Sequence, residues 1–223
     1  MKNNKLTVEK MIEEARAFCV EESSFGNPDL FGVTDGKAVG TYVEHKFQGR
    51  LKLKYDVVIG SSAKGIDFPS SEINTDVKVT SIKQPQSSCP FKTAEQKIFG
   101  LGYNILLFVY NKSDSPSTKT SLLEFVNCSF IEKGRTADYQ TTKSLIDLVK
   151  NEATEEEIIA YLFDRNLPTD EIGMSRIAKR VLRTPFQQGY LTISNALQWR
   201  LQYGRVVELE EQVNGIRRII GKE

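Results

Sequence analysis

The chain has 223 residues, with 30 Lys or Arg against 29 Asp or Glu and a formal net charge of +1. This length suits one large domain, or one domain with a small appendage, and the balanced charge neither indicates nor excludes a nucleic-acid binder. Three cysteines without metal-binding spacing and a single histidine, His45, argue against a zinc site or a Ser-His-Asp relay. No apolar stretch approaches the roughly 20 residues of a membrane span, so a reduced, cytoplasmic protein without a membrane partner is expected.

The N-terminal part predicts two helices. Residues 7–22 place apolar side chains at helical spacing, and a loop rich in Gly separates them from a second helix over 37–54. Glu44 lies beside the apolar stripe of this second helix, where a carboxylate is costly to bury without a partner. Two interpretations stay open. Glu44 either reaches water at the edge of the core, or it completes an acidic cluster that faces a metal ion or metal-bound water.

The next segment predicts a strand that carries charged side chains. Residues 73–81 alternate with the two-residue period of a strand, so Asp76 and Lys78 project side by side from the face opposite an apolar one. Residues 69–72 read as a turn. A hairpin at this turn would fold Asp67 back onto the face that carries Asp76 and Lys78.

Two carboxylates and a lysine at one point suit the hydrolysis of phosphodiesters. Magnesium is usually held by one or two carboxylates together with phosphate oxygens and water, and it lowers the pKa of a bound water. The lysine can orient or deprotonate the attacking water, or stabilise charge on the phosphate. The alternative is a surface Asp-x-Lys pair on an amphipathic strand, which is a common pattern.

A polar segment leaves the end of this strand. Residues 81–90 contain two prolines and several Gln and Ser residues, whose side chains can contact base edges in a DNA groove. The segment is therefore either a substrate-reading segment or an ordinary polar loop. Its candidate DNA contacts are Lys83, Gln84, Gln86, Ser87 and Ser88.

The rest of the first 150 residues predicts an α/β core. Strands are expected over 57–60, 104–110 and 122–131, and helices over 93–101 and 141–151. Strands between helices favour a central sheet flanked by helices, with the core domain ending near residue 150.

Residues 151–223 predict a helical, winged-helix-like subdomain. Helices are expected from the capping box at Thr154 to about residue 166, over 170–183 and over 194–203, and a hairpin at Asn214-Gly215 would join strands 206–209 and 216–220. The helix over 194–203 would be the recognition helix of a winged helix, offering Asn195, Gln198 and Arg200 to DNA. The alternative is a subdomain that serves only packing or dimerisation.

With Glu44, Asp67, Asp76 and Lys78 in place, the chain resembles the PD-(D/E)xK nuclease superfamily, and bacterial type II restriction endonucleases in particular. The resemblance covers residues 40–112 for the catalytic core, and residues 189–200 also resemble such proteins. It implies a central mixed sheet and Mg2+-dependent cleavage of double-stranded DNA. Asp67 and Asp76 would be the metal ligands, Lys78 the catalytic lysine and Glu44 the acid on the first core helix. The chain departs from the pattern at Asp67, which no proline precedes.

The resemblance further implies a homodimer, because a two-fold protein matches a palindromic DNA site. Two other functions remain as alternatives to the sequence-specific endonuclease. One is a repair or recombination nuclease that recognises DNA structure, and the other is a non-catalytic winged-helix regulator that binds DNA.

Overall fold

The structure is a computed structural model, and it describes residues 4–60, 65–90, 92–194 and 199–221. Its helices and strands run in chain order as α1 (Val8–Ser23), α2 (Gly36–Lys54), β1 (Thr75–Ser81), β2 (Gln86–Cys89), α3 (Gln96–Phe99), β3 (Asn104–Ser115), β4 (Thr120–Ile131), α4 (Tyr139–Lys150), α5 (Glu155–Asp164), α6 (Glu171–Arg183), β5 (Thr192–Ile193), β6 (Trp199–Gln202), α7 (Gly204–Val207) and β7 (Ile216–Ile220).

The first compact unit is built on a mixed four-stranded sheet. It comprises residues 1–87, 103–131 and 210–223, and its strand order is β1-β3-β4-β7. Strand β1 runs parallel to β3, whereas β3–β4 and β4–β7 are antiparallel pairs. The predicted α/β fold with a central mixed sheet is therefore confirmed.

Helices α1 and α2 pack on this sheet through an aromatic cluster. Phe18 of α1 and Phe47 of α2 meet Phe108 and Phe125 of the central strands, with ring centroids 5.3–5.9 Å apart. All four rings are buried. Truncating one of them to alanine should cost about 3–5 kcal/mol, because the site cannot collapse around the cavity. This packing fixes α2, and with it Glu44, over β1.

The second compact unit contains most of the remaining helices. It comprises residues 88–102 and 132–209, and its core joins α4, α5 and α6 through Leu145, Ile158 and Ile177. A three-stranded sheet with the order β2-β6-β5 completes the secondary structure. The predicted capping box is present, since Thr154 and Glu157 exchange side-chain and backbone hydrogen bonds at the start of α5.

The C-terminal prediction is wrong in its details. Residues 199–202 form strand β6 rather than the end of a recognition helix, because β6 pairs in antiparallel register with β5. Residues 204–207 form a short helix instead of a strand, and 216–220 pair with β4 in the sheet of the first unit. The two compact units therefore do not coincide with the predicted division at residue 150.

Other differences are smaller. Residues 57–60 form no strand, and 86–89, expected as loop, form β2. The helix expected over 93–101 is limited to Gln96–Phe99. Within the part of the chain that the structure describes, no helix is both long and apolar enough to cross a membrane.

Candidate active site

Asp67 is held beside strand β1 by the predicted hairpin. Phe68 and Thr75 exchange two backbone hydrogen bonds of 2.9 and 3.0 Å, which close the chain around the intervening turn. The backbone N–H of Val77 then donates a 2.7 Å hydrogen bond to the carboxylate of Asp67. Because Val77 lies between Asp76 and Lys78 in the chain, this bond aligns Asp67 with both charged residues.

Asp76 and Lys78 form a partly buried ion pair on β1. The ammonium of Lys78 lies 2.7 Å from the carboxylate of Asp76, which is only 4% exposed. Their strand pairs in parallel register with β3, so the backbone beneath both side chains is fixed. The position on a paired strand gives the two groups a rigid support.

The two aspartates perturb each other. Burial raises the pKa of Asp76 to about 6, although the neighbouring Lys78 ammonium acts in the opposite direction. Burial also raises the pKa of Asp67, against hydrogen bonds from Asp76 and Val77 that lower it. Two close carboxylates in a poorly solvated place ionise together less readily, and a cation beside them favours their charged forms.

Glu44 and Gln48 complete the cluster from helix α2. The side-chain amide of Gln48 lies 3.1 Å from a carboxylate oxygen of Glu44 and 3.4 Å from one of Asp67. One amide donor group thus links the helix acid to the hairpin acid. Of the two interpretations of Glu44, this contact favours membership of the acidic cluster.

Gln48 is a site residue that sequence reasoning missed. It carries no charge, and the sequence pattern that indicates this kind of site consists of carboxylates and a lysine. Its signal was positional, because residues four apart on a helix face the same side and Gln48 follows Glu44 by four. Its side chain is buried, at 9% exposure, so its hydrogen-bonded amide indicates a role in organising the cluster more strongly than a surface glutamine would.

The turn that follows β1 is fixed by Thr80. The buried hydroxyl of Thr80 lies 3.2 Å from the carbonyl oxygen of Gln84 and 3.1 Å from both the carbonyl oxygen and the backbone N–H of Gln86. Thr80 follows Asp76 and Lys78 at intervals of two, so its side chain leaves the same face of the strand. One hydroxyl therefore connects the acidic strand to the segment predicted to read DNA.

The predicted DNA contacts are placed in two groups. Lys83 and Gln84 are exposed in the turn after β1, while Gln86, Ser87 and Ser88 lie at the start of β2 with full or partial exposure. Arg200 is exposed on β6, and β2 and β6 are neighbouring strands. The structure thus brings Ser88 and Arg200 onto adjoining strands. Asn195 and Gln198 lie outside the described residues.

The acidic cluster suits a hard divalent cation. Among the described residues, no three His, Cys, Asp or Glu side chains are arranged as a ready-made metal site. The buried Asp76 and the partly buried Asp67 nevertheless offer only oxygen donors. Mg2+ is usually held by one or two carboxylates with water and phosphate oxygens. Burial raises the pKa of each aspartate, and a cation bound beside them would favour their charged forms.

Comparison with known protein families shows which family the chain belongs to. A family model described as the type II restriction enzyme NspV matches residues 5–218. The chain belongs to the NspV family of type II restriction enzymes. The resemblance to type II restriction endonucleases that the sequence carries is thereby confirmed.

A curated relative supports the same family. Over 211 residues the chain is 54% identical to the type II restriction enzyme NspV of Nostoc sp. (strain ATCC 29411 / PCC 7524), and the alignment covers 95% of each chain. No solved structure matches the chain. The NspV family match spans both compact units, including the acidic cluster and the short strands of the second unit.

Proposed function

We propose that the protein is a sequence-specific endonuclease that hydrolyses phosphodiester bonds in double-stranded DNA. The observation that carries this proposal is the convergence of Asp67, Asp76 and Lys78 at one partly buried point, in a chain of the NspV family. A winged-helix regulator would give these charged groups no task, and its recognition helix is replaced by strand β6.

Each residue of the cluster has a distinct task. Asp67 and Asp76 would hold Mg2+, which when bound would supply positive charge beside the scissile phosphate and a water of lowered pKa. Lys78 neutralises charge that develops on the phosphoryl oxygens, or orients the attacking water. Glu44 supplies a further carboxylate at the edge of the cluster. Gln48 keeps Glu44 and Asp67 in their relative positions.

Recognition of the DNA sequence falls to the turn after β1 and to strands β2 and β6. Lys83, Gln84 and Gln86 are candidates for base or phosphate contacts from the turn that Thr80 holds, and Arg200 is a candidate on β6. The wider proposed set also contains Ser87, Ser88, Asn195 and Gln198. We further propose a homodimer acting in the bacterial cytoplasm, since two-fold symmetry suits a palindromic target.

The direct test is an incubation of the purified protein with phage or plasmid DNA, in magnesium and in EDTA, read on a gel. The proposal expects discrete fragments in magnesium only, and sequencing their ends would give the target site. A smear would point to a nuclease without sequence specificity, and flap-dependent or end-dependent cutting to a structure-specific one. Absence of cutting with every divalent ion would overturn the proposal.

A further inference from the structure

Helix α6 carries four cations along one exposed ridge. We define the α6 ridge as Arg176, Lys179, Arg180 and Arg183, which follow the i, i+3, i+4, i+7 spacing of a single helix face. All four are exposed, and the opposite face of the helix is buried. The ridge spans about 10 Å at 1.5 Å per residue. In a protein of net charge +1, this is a marked local concentration of positive charge.

Carboxylates balance the ridge only in part. Glu95 pairs with Arg180 and lies 3.6 Å from Arg176, while Glu155 lies 3.6 Å from Lys179. The side chains of Arg176 and Lys179 remain 74% and 52% exposed, and ion pairs this long and this exposed contribute little. Within the described residues, Arg183 forms no ion pair. Two carboxylates therefore face four cations.

Another basic group in the chain is used differently. On α2, Arg50 and Lys54 donate to the carboxylate of Glu14 at 2.7 and 2.8 Å, and Glu14 is nearly buried. Those cations pair with a carboxylate of the protein itself and join α2 to α1. Stabilisation of the helix end does not explain the α6 ridge either, because Arg176 and Lys179 lie before the last turn, where the macrodipole has little effect.

We propose that the α6 ridge binds the phosphate backbone of double-stranded DNA, as a surface additional to the acidic cluster. This inference rests on the proposed endonuclease function. Duplex DNA carries about one negative charge per 1.7 Å of its axis, so a ridge of about 10 Å meets about six charges. Three of the four cations are arginines, whose forked guanidinium suits phosphate oxygens. Such contacts add affinity and fix position, and they carry no sequence information.

The test measures binding of a duplex of random sequence in EDTA, where the target site and the metal play no part. The full-length wild type is compared with the variant Arg176→Ala/Lys179→Ala/Arg183→Ala over about 50–200 mM salt, the range in which phosphate contacts show their effect. Because each lost phosphate contact removes about 0.9 from the slope of log K against log salt, the slope should fall by about 2–3. Affinity should fall by about 10–100-fold at the middle of this range.

A control variant separates the ridge from total charge. Arg16→Ala/Lys52→Ala/Lys143→Ala removes the same charge from three exposed positions on α1, α2 and α4. It should keep a slope closer to that of the wild type. Thermal melts show that each variant is folded, and Arg176→Lys/Arg183→Lys, which keeps the charge, should recover most of the affinity.

The outcomes separate this inference from the proposed function. If the ridge variant binds the duplex with the salt slope and the affinity of the wild type, the α6 ridge does not bind DNA. The proposed endonuclease function is unaffected by that result. A loss of self-association with an unchanged salt slope assigns the ridge to a second copy of the chain, and also overturns it. A wild type that binds and cuts no DNA overturns both.

Discussion

The backbone N–H of Val77 donates a 2.7 Å hydrogen bond to the carboxylate of Asp67, ten residues earlier in the chain. The chain neighbours of Val77 are Asp76 and Lys78, so a single peptide N–H sets the acid from the hairpin against the charged pair on the strand. A hydrogen bond to a carboxylate is stronger than one between neutral groups. The geometry of the acidic cluster thus depends on the strand backbone as well as on its side chains.

This bond lets the charge of Asp67 be tested apart from its position. Asp67→Asn retains an oxygen that accepts from Val77 and removes the negative charge that would hold a cation. We expect the single-turnover cleavage rate to fall by about 10²–10⁴-fold, with the fold retained in a thermal melt. The matched control is Asp147→Asn on the exposed side of α4, which should cleave normally. An Asp67→Asn protein that cleaves at the wild-type rate would remove Asp67 from the site.

Gln48 offers a test of positioning. Gln48→Leu keeps a similar volume and removes the amide that bridges Glu44 and Asp67. Loss of a group that orients metal-holding carboxylates should lower cleavage by about 10–100-fold and raise the magnesium concentration needed for half-maximal rate. Gln140→Leu, at an exposed position on α4, serves as control. If the magnesium requirement does not move, the bridge has no part in organising the site.

Thr80 connects the strand to the predicted reading turn. Thr80→Val removes the hydroxyl that contacts Gln84 and Gln86 while keeping the branched shape of the side chain. We expect discrimination between the target site and sites with one changed base pair to fall by about 10-fold, since one mismatched base pair is worth about 1–3 kcal/mol. Thr80→Ser restores the hydroxyl and should restore discrimination. Equal discrimination in Thr80→Val and wild type would show that the turn does not read bases.

In the metal-free protein, the contribution of Asp76 to stability should fall as pH rises. The folded pKa of Asp76 is raised to about 6 from its ordinary value of 3.8 by burial, so the folded state keeps a proton that the unfolded chain releases. Between about pH 4 and pH 6 the contribution of Asp76 to the free energy of unfolding should fall by about 3 kcal/mol. At higher pH this loss is constant.

The variant Asp76→Asn isolates that contribution, because it does not titrate. Urea unfolding in EDTA gives the free energy of unfolding of both proteins at about pH 4 and at about pH 7. From the lower to the higher pH, the free energy of unfolding of the variant should rise by about 3 kcal/mol relative to that of the wild type. Magnesium should stabilise the wild type at the higher pH, by binding the folded state, and have little effect on the variant. A difference between the two proteins that is the same at both pH values would contradict the assigned pKa.

The parts of this fold that sequence predicts are those set by local pattern. The helices around Phe18 and Phe47, and the strand that bears Asp76 and Lys78, follow from the periods of their apolar residues. The fold-back of Asp67 follows from the turn at residues 69–72, and the hydrogen bonds between Phe68 and Thr75 confirm it. Here the local chain already contains the information that the tertiary structure uses.

The parts that sequence missed depend on distant pairing. Strand β7 pairs with β4 across about 90 residues, and no local signal names that partner. Residues 199–202 carry a pattern that fits a helix in isolation, yet Leu201 is buried in register with Ile193 of β5. Tertiary context overrides local preference in such short strands. Gln48 could not be predicted for a different reason. Its role comes from its contacts with Glu44 and Asp67, and its own residue type does not indicate them.

In the proposed function, Asp76 and Lys78 act together in the hydrolysis of DNA. The measurement that tests it most directly compares wild type and Lys78→Ala on plasmid DNA in magnesium, with DNA binding measured in parallel in EDTA. We expect discrete fragments from the wild type, and a rate at least about 10²-fold lower from Lys78→Ala with binding reduced only a few-fold. Cleavage by Lys78→Ala at the wild-type rate would contradict it.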